Sequence, residues 1–113
     1  MSVAYVIHFT VRDGQRERFL RLLTDVLYAM AHEVNYRGAV LHEDPADPNR
    51  FLLHEVWADH DDVVKVQIHR SYRREWHEAL RELLDGDRTI EVWRPVAFPT
   101  SAPEMARLAM RRL

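Results

Sequence analysis

The hydrophobic pattern begins with an almost unbroken run of apolar and aromatic residues over positions 2–11. Residues with β-branched or aromatic side chains dominate this run, which favours a strand over a short buried helix. Both faces of the strand are largely apolar, one made of Val3, Tyr5, Ile7, Phe9 and Val11 and the other of Ala4, Val6, His8 and Thr10. Each face therefore needs a partner that covers it.

The pattern then changes to a helical period. Apolar residues recur at spacings of three and four, at Phe19, Leu22, Leu23, Val26, Leu27, Met30 and Val34. This spacing predicts an amphipathic helix that starts with Asp13 as its N-cap and runs to about Val34. Its single apolar stripe is expected to pack on the first strand.

A polar stretch at residues 44–49 separates two extended segments, residues 38–43 and 51–57. The stretch contains two prolines, two aspartates and an asparagine. Proline fixes φ, and Asp or Asn side chains bond to their own backbone, so these residues predict a tight turn. The two segments are therefore expected to form a β-hairpin.

Two further helical patterns follow the hairpin. Acidic residues at positions 59–62 favour the start of a helix that reaches His69, because they interact well with the positive end of the helix dipole. Ser71 is expected to cap a second helix, and Gly86 to end it in a left-handed turn. The apolar face of that second helix consists of Tyr72, Trp76, Leu80, Leu83 and Leu84.

The chain finishes with a strand and a tail. Residues 88–98 predict the last strand. Pro95 either makes it an edge strand or ends its pairing, because proline has no backbone N–H to donate. Residues 99–113 predict a C-terminal tail with a short helix. The folded domain is thus expected to cover residues 1–98.

The order strand, helix, hairpin, helical pair and strand predicts an α+β fold. It matches a ferredoxin-like split β-α-β arrangement with a four-stranded antiparallel sheet and its helices on one face. One layer of helices leaves the other sheet face uncovered. Because the first strand is apolar on both faces, we expect that face to pack on a second copy, giving a homodimer in the form of a dimeric α+β barrel.

Composition narrows the functional classes. The chain has 113 residues and a net charge of −2. It contains no cysteine, which excludes disulfides, cysteine nucleophiles and cysteine-bound metals. Acidic and basic residues are interspersed, so nucleic acid is not an expected partner, and the arginines near position 73 are expected to form a solvated helix face. No membrane partner is expected, and a cytoplasmic location is predicted, because no apolar stretch approaches about 18 residues and no signal-peptide pattern is present.

Three segments resemble the antibiotic-biosynthesis-monooxygenase family: the Asp47-Pro48-Asn49-Arg50 turn, the Phe51–Trp57 strand with its Glu55-x-Trp57 pair, and the Gln67–Tyr72 segment with its His69-x-Ser71 step. The resemblance covers roughly residues 5–96. It implies a ferredoxin-like dimer. It also implies oxidation of an aromatic, quinol-like or polyketide-like small molecule by dioxygen, with no metal or flavin cofactor.

Such chemistry needs a base, a dry pocket and donors that stabilise developing charge. His69 lies at the junction of the two predicted helices, and Tyr72 and Trp76 follow it at helical spacing. These three are the first-choice catalytic residues, with His69 as the base or donor at the pocket mouth. The alternative is that His69 only orients the helix break around Ser71.

Four further residues are candidates for substrate binding. His8 and His54 lie on strands predicted to be neighbours and antiparallel, on the same face. They either line a cavity inside the dimer or form a hydrogen-bonded pair at its interface. Trp57 either stacks on substrate or belongs to the core, and Arg37 either holds an anionic substrate or is solvated.

The remaining polar residues have other candidate roles. Glu55 faces inward. An ion pair with an arginine explains an inward-facing carboxylate better than a role as general base does. His77 lies where haem-degrading members of the resembling family bind iron, but His8 and Gln67 replace the asparagine and tryptophan of that branch, so haem is the less favoured alternative. No residues have standard metal-chelating spacing, and a non-catalytic dimeric ligand-binding or accessory domain is the main rival hypothesis.

Overall fold

The computed structural model describes residues 1–97 and contains four strands and three α-helices in that range. The strands are β1 (Val3–Thr10), β2 (Tyr36–Asp44), β3 (Asp47–Trp57) and β4 (Thr89–Trp93), and the helices are α1 (Arg16–Met30), α2 (His60–Lys65) and α3 (Arg74–Leu83). Two single 3₁₀ turns, Gln67–His69 and Ser71–Arg73, connect α2 to α3. The predicted tail and its short helix lie outside the described residues.

The four strands form one antiparallel sheet in the order β2-β3-β1-β4. This confirms the predicted ferredoxin-like α+β fold. The last strand is an edge strand, as Pro95 indicates, but it ends at Trp93 and is shorter than predicted. Proline cannot continue the backbone ladder, and Val96 just beyond it is exposed.

The inner face of the sheet packs against the helices and forms the core. Phe19 of α1 is fully buried, and its ring centroid lies 5.2 Å from that of Phe9, 4.8 Å from that of Phe51 and 5.6 Å from that of Trp76. Strand alternation places these aromatic residues of β1 and β3 on the same side of the sheet. The aromatic cluster therefore joins α1, α3 and the two central strands.

The outer face of the sheet carries alternate residues of all four strands. One row across it runs from Val40 through His54 and Val6 to Glu91. Val40 is 52% exposed and Trp93, on the same face, is 58% exposed. The described part of the chain thus presents apolar side chains to solvent on this face.

The first helix is shorter than predicted at both ends. Asp13 is not its N-cap, because the Asp13 carboxylate accepts a hydrogen bond of 2.7 Å from Nδ2 of Asn49, and Gln15 occupies the cap position instead. Gly14 turns the chain with a φ of +81°, which a residue with a side chain rarely adopts. Val34 lies beyond the helix and is 89% exposed, so its assignment to the apolar stripe was wrong.

The predicted hairpin turn is confirmed. Only Pro45 and Ala46 separate β2 from β3. The Asp44 carboxylate accepts a hydrogen bond of 2.8 Å from the Ala46 amide, and the Asp47 carboxylate accepts one of 2.9 Å from the Asn49 amide. Both aspartates therefore bond to their own backbone two residues on, as their residue type predicts.

The helical pair is more broken than predicted. Helix α2, the first of the pair, ends at Lys65 instead of reaching His69. The backbone is extended at Arg70, with ψ of 136°. Ser71 makes no side-chain capping bond within residues 1–97, so its predicted role as a helix cap was wrong. Gly86 has the predicted left-handed conformation, with φ of +84°.

Candidate functional site

A cavity of about 170 Å³ lies between the inner face of the sheet and the helices. Most of its wall is apolar and comes from α1, the central strands and the segment around α2. Its polar side chains are Tyr5, Glu55, Arg73, His77 and Arg88. An apolar wall with a few convergent polar side chains is typical of a small-molecule site.

Glu55 is the buried carboxylate of this cavity. It points inward because it alternates with His54 and Val56 on β3, and it lies opposite Tyr5 of β1. Burial raises its pKa, against the opposing effects of Arg73, of a hydrogen bond from Trp57 and of Arg88. A carboxylate with a raised pKa is a stronger base than a solvated one, so Glu55 is suited to proton transfer.

Arg73 is buried beside this carboxylate, with only 8% of its surface exposed. Its guanidinium carbon lies 5.9 Å from the ring centroid of Trp57 and 5.8 Å from that of Tyr72, so two aromatic rings flank the charge. Its Nε and Nη2 atoms have no hydrogen-bond partner among residues 1–97. The prediction that this arginine belongs to a solvated helix face was wrong.

Arg88 and His77 complete the polar end of the cavity. Burial lowers the pKa of Arg88, and Arg73 lowers it further. Burial likewise lowers the pKa of His77, with smaller contributions from Arg88 and Arg73. A neutral imidazole is therefore favoured at neutral pH, and it can accept a proton or donate a hydrogen bond.

Tyr5 is held on the other side of Glu55. Its hydroxyl lies 2.6 Å from Nδ1 of His60. Burial, together with the charges of Glu55 and Asp59, raises the pKa of Tyr5 to about 12. The hydroxyl thus stays protonated at neutral pH.

The three first-choice catalytic residues do not come together. Trp76 is buried and lines the cavity. His69 is exposed in the 3₁₀ turn before the backbone break at Arg70 and does not line the cavity. Tyr72 packs on Arg73 and its hydroxyl lies 3.4 Å from a carboxylate oxygen of Glu33, away from the cavity wall.

The second group of candidates lies elsewhere. His8 and His54 share the outer face, where His8 pairs with Leu52 and His54 with Val6, so the two histidines are diagonal neighbours. Nε2 of His8 is 3.4 Å from a carboxylate oxygen of Glu91. The outer face is the side of the sheet away from the cavity.

Trp57 and Arg37 also lie outside the cavity wall. Trp57 is fully buried in the core. Arg37 is exposed and donates to the backbone carbonyls of Val34 and Tyr36. Neither residue contacts the cavity within the described part of the chain.

The sequence does not predict a functional role for four polar residues of this site. The sequence pattern places Tyr5 on a strand face, indicates a structural ion pair for Glu55 and a solvated helix face for Arg73, and suggests no role for Arg88. One available signal was the inward position of Glu55 on β3. Placing Arg73 required knowledge of the helix break that precedes it.

The volume and the lining of the cavity bear on the haem and metal alternatives. His77 does line the cavity, but a volume of about 170 Å³ is below the roughly 300 Å³ at which pockets for drug-sized ligands begin, so a haem does not fit the described site. No cluster of three or more potential metal-ligating side chains occurs within residues 1–97. In the same range, no helix is long and apolar enough to cross a membrane.

Taken together, the sheet order and the single helical layer define a ferredoxin-like α+β domain, and the partly open cavity between the sheet and the helices is its candidate small-molecule site. A family model described as antibiotic biosynthesis monooxygenase matches residues 2–65. The chain therefore belongs to the antibiotic biosynthesis monooxygenase family.

A protein from Pestalotiopsis microspora, named as a candidate monooxygenase, is similar in sequence. It is 30% identical over 93 residues, which cover 81% of this chain and 78% of the relative. This similarity agrees with membership of the family and extends the alignment beyond the segment that the family model matches.

Solved structures show the same fold. Rv0793 from Mycobacterium tuberculosis aligns with a TM-score of 0.79 at 18% identity, covering 88% of this chain and 100% of that one. A variant of SnoaB from Streptomyces nogalater, a cofactor-independent oxygenase, aligns with a TM-score of 0.73 at 20% identity, covering 86% and 95%. At these identities the likeness supports the fold alone.

Proposed function

We propose that this protein is a cofactor-independent monooxygenase that oxidises a small ionisable aromatic compound, of the hydroquinone or phenol type, with dioxygen. The observation that carries the proposal is Glu55, a buried carboxylate of raised pKa facing an apolar cavity. Membership of the monooxygenase family and the name of the similar protein from Pestalotiopsis microspora support it.

The first step is proton transfer. Glu55 accepts the proton of a phenolic hydroxyl, because its desolvated carboxylate favours the protonated form. The substrate anion that forms is stabilised by the positive charges of Arg73 and Arg88 at the same end of the cavity. His77 and Tyr5 can hold the remaining substrate oxygen by hydrogen bonds.

The second step is the reaction with dioxygen. The electron-rich anion gives one electron to dioxygen, and the ring radical then couples with the superoxide so formed, which makes a carbon–oxygen bond and a ring-bound peroxide. The oxygen–oxygen bond breaks, so that one oxygen stays on the ring and the other leaves as water. A hydroquinone and dioxygen thus yield a hydroxyquinone and water, and the substrate supplies every electron.

The apolar wall assists both steps. Trp76 and the aliphatic side chains around it exclude water, which strengthens the electrostatic interactions inside the cavity. Dioxygen is itself apolar and enters such a site readily. The wall therefore keeps the reactive anion beside oxygen and away from bulk solvent.

Oxygen uptake is the test. Purified protein is incubated with a panel of single-ring hydroquinones and phenols under air and under nitrogen, with an oxygen electrode and product analysis as readouts. We expect protein-dependent uptake, and at least about a 100-fold lower kcat for Glu55→Gln, as removal of a general base requires. His32→Ala, an exposed histidine at the end of α1, is the matched control and keeps full activity.

A parallel arm with His69→Ala tests the role that the sequence alone suggested. If His69→Ala loses turnover and Glu55→Gln remains fully active, the general base is His69 in the 3₁₀ turn and not Glu55 in the cavity. If no member of the panel gives protein-dependent uptake, the monooxygenase proposal fails and a non-catalytic binding domain becomes the better description.

We also propose that the protein is a homodimer formed through the outer face of the sheet. Val40 and Trp93 expose large apolar surfaces there, on a face that the helices of the described chain do not cover. A two-fold axis across this face would bury the same side chains of both copies. It would also bring His8 and His54 into the interface, which is one of the two alternatives that the sequence leaves open for them.

A further inference from the structure

We propose that the cavity recognises a single aromatic ring that carries a carboxylate, and that Arg73 and Arg88 bind this carboxylate. The inference uses the same cavity as the proposed function and narrows its substrate class to hydroxylated aromatic acids. The carboxylate is a second group, separate from the hydroxyl that Glu55 deprotonates. Binding of such an acid requires neither oxygen nor turnover, so it can be measured separately.

The geometry of Arg73 carries the argument. Its two partnerless nitrogens within residues 1–97 are Nε and Nη2, and these two atoms lie on one edge of the guanidinium plane. Parallel N–H groups on one edge match the two oxygens of a carboxylate. Since buried polar groups are nearly always hydrogen-bonded in native proteins, an open fork in a cavity wall indicates a ligand that fills it.

Glu55 does not fill that fork itself. Its carboxylate accepts a hydrogen bond of 3.1 Å from Nε1 of Trp57. Arg73 in turn is held from the side by the rings of Trp57 and Tyr72. The two charges attract each other, but the fork of Arg73 remains open.

The charges in the cavity also favour an anion. Arg73 and Arg88 contribute two positive charges, whereas Glu55 contributes at most one negative charge and His77 is favoured as neutral. Arg73 is buried, whereas Arg88 is half-buried and has Asp87 beside it, so the charge of Arg73 is the one that most needs a counter-ion. An anionic ligand supplies this counter-ion, and a cationic ligand would add to the positive charge.

Arg88 also relates the cavity to the surface. Arg88 and Ile90 line both the cavity and a neighbouring surface groove, whose other charged residues are Arg12, Arg81 and Asp87. The groove is therefore more basic than acidic. An anionic ligand that approaches along it would meet Arg88 before it reaches Arg73.

The volume limits the size of the ligand. A cavity of about 150 Å³ is known to accommodate benzene, and the cavity described here measures about 170 Å³. One ring with small substituents fits this space. A fused polycyclic compound would need the wall to open, so hydroxylated benzoic acids are the class that matches both charge and size.

Calorimetric titration under nitrogen tests the proposal. The probes are 2,5-dihydroxybenzoate, its neutral amide, acetate and inorganic phosphate. We expect the acid to bind at least about 30-fold more tightly than the amide, whereas acetate and phosphate bind far more weakly than the acid because they lack the ring. Equal affinity for the acid and the amide would overturn the proposal, and so would phosphate binding as tight as that of the acid.

Variants locate the carboxylate. Arg73→Met and Arg88→Gln should each reduce the affinity for the acid at least about 10-fold and leave the affinity for the amide nearly unchanged. Arg74→Gln, an exposed neighbour of Arg73, is the matched control and binds the acid as the native chain does. If Arg73→Met does not fold, Arg73→Lys and Arg88→Gln decide the question, because a lysine keeps the charge but loses the fork.

The titration also separates this inference from the proposed function. If the acid binds selectively but no oxygen is consumed, the monooxygenase proposal fails and the recognition of aromatic acids remains. If the neutral amide binds equally well and is oxidised equally fast, recognition of the carboxylate is wrong and the monooxygenase proposal remains.

Discussion

The indole Nε1 of Trp57 donates a hydrogen bond of 3.1 Å to a carboxylate oxygen of Glu55, two residues earlier on the same face of β3. Both residues are buried, so this donor partly replaces the water that the carboxylate loses on folding. It also opposes the rise in the pKa of Glu55 that burial causes. The pair therefore links the stability of the core to the chemistry of the cavity.

We predict that Trp57→Phe lowers the free energy of unfolding by at least about 2 kcal/mol, because it removes a buried donor and leaves a small void. Chemical denaturation measures this loss. Tyr28→Phe is the control, since Tyr28 is an aromatic residue of α1 that is 75% exposed and lies away from the outer face of the sheet. It should change stability by less than about 0.5 kcal/mol, and equal losses in both variants would contradict the role of burial.

Glu55→Gln should change how stability depends on pH. The pKa of Glu55 is raised by folding, so its contribution to stability is complete below the ordinary glutamate pKa and is lost as pH rises through the folded-state value. A glutamine does not titrate. We therefore expect the Tm of the native chain to fall, relative to that of Glu55→Gln, as pH increases from about 4 to about 8, measured by differential scanning calorimetry.

Glu43→Gln serves as the control for this experiment, because Glu43 is an exposed partner of Arg16 on the surface. The difference in Tm between Glu43→Gln and the native chain should vary little over the same pH range. If the difference between the native chain and Glu55→Gln were also constant with pH, Glu55 would not titrate differently on folding.

The period-two pattern of β3 explains how much of the site the sequence could reveal. Alternation alone placed Glu55 and Trp57 on one face and His54 on the other, and the structure agrees. Alternation could not reveal that the inward face of β3 also borders a cavity. That cavity depends on how α1, α3 and the residues before β4 pack over the sheet.

The path of the chain between α2 and α3 could not be predicted from the sequence pattern. A continuous helical period would bring His69 and Trp76, seven residues apart, to the same face. The extended backbone at Arg70 breaks that period, so His69 lies in solvent while Trp76 lines the cavity. The same break turns Arg73 inward between two aromatic rings, which no periodicity of its neighbours indicates.

Phe19→Ala should be among the most destabilising substitutions in α1. The side chain is fully buried and contacts three other aromatic rings, so truncation should lower the free energy of unfolding by about 3–5 kcal/mol. Tyr28→Ala on the exposed side of the same helix is the control and should cost less than about 1 kcal/mol. Denaturant titrations of both variants measure the difference, and a loss below about 1 kcal/mol for Phe19→Ala would contradict the packing described.

The proposed dimer is tested by a charge on the outer face. Val40 of the edge strand β2 pairs with His54 of β3 on this face, so Val40→Glu would bury a carboxylate of each copy in the proposed interface. Sedimentation velocity should show a dimer for the native chain and a monomer with an unchanged circular dichroism spectrum for the variant. Val34→Glu, at an exposed position in the turn before β2, should remain a dimer. A native chain that sediments as a monomer at micromolar concentration would exclude the outer face as a stable interface, because the apolar side chains of that face would then remain in solvent.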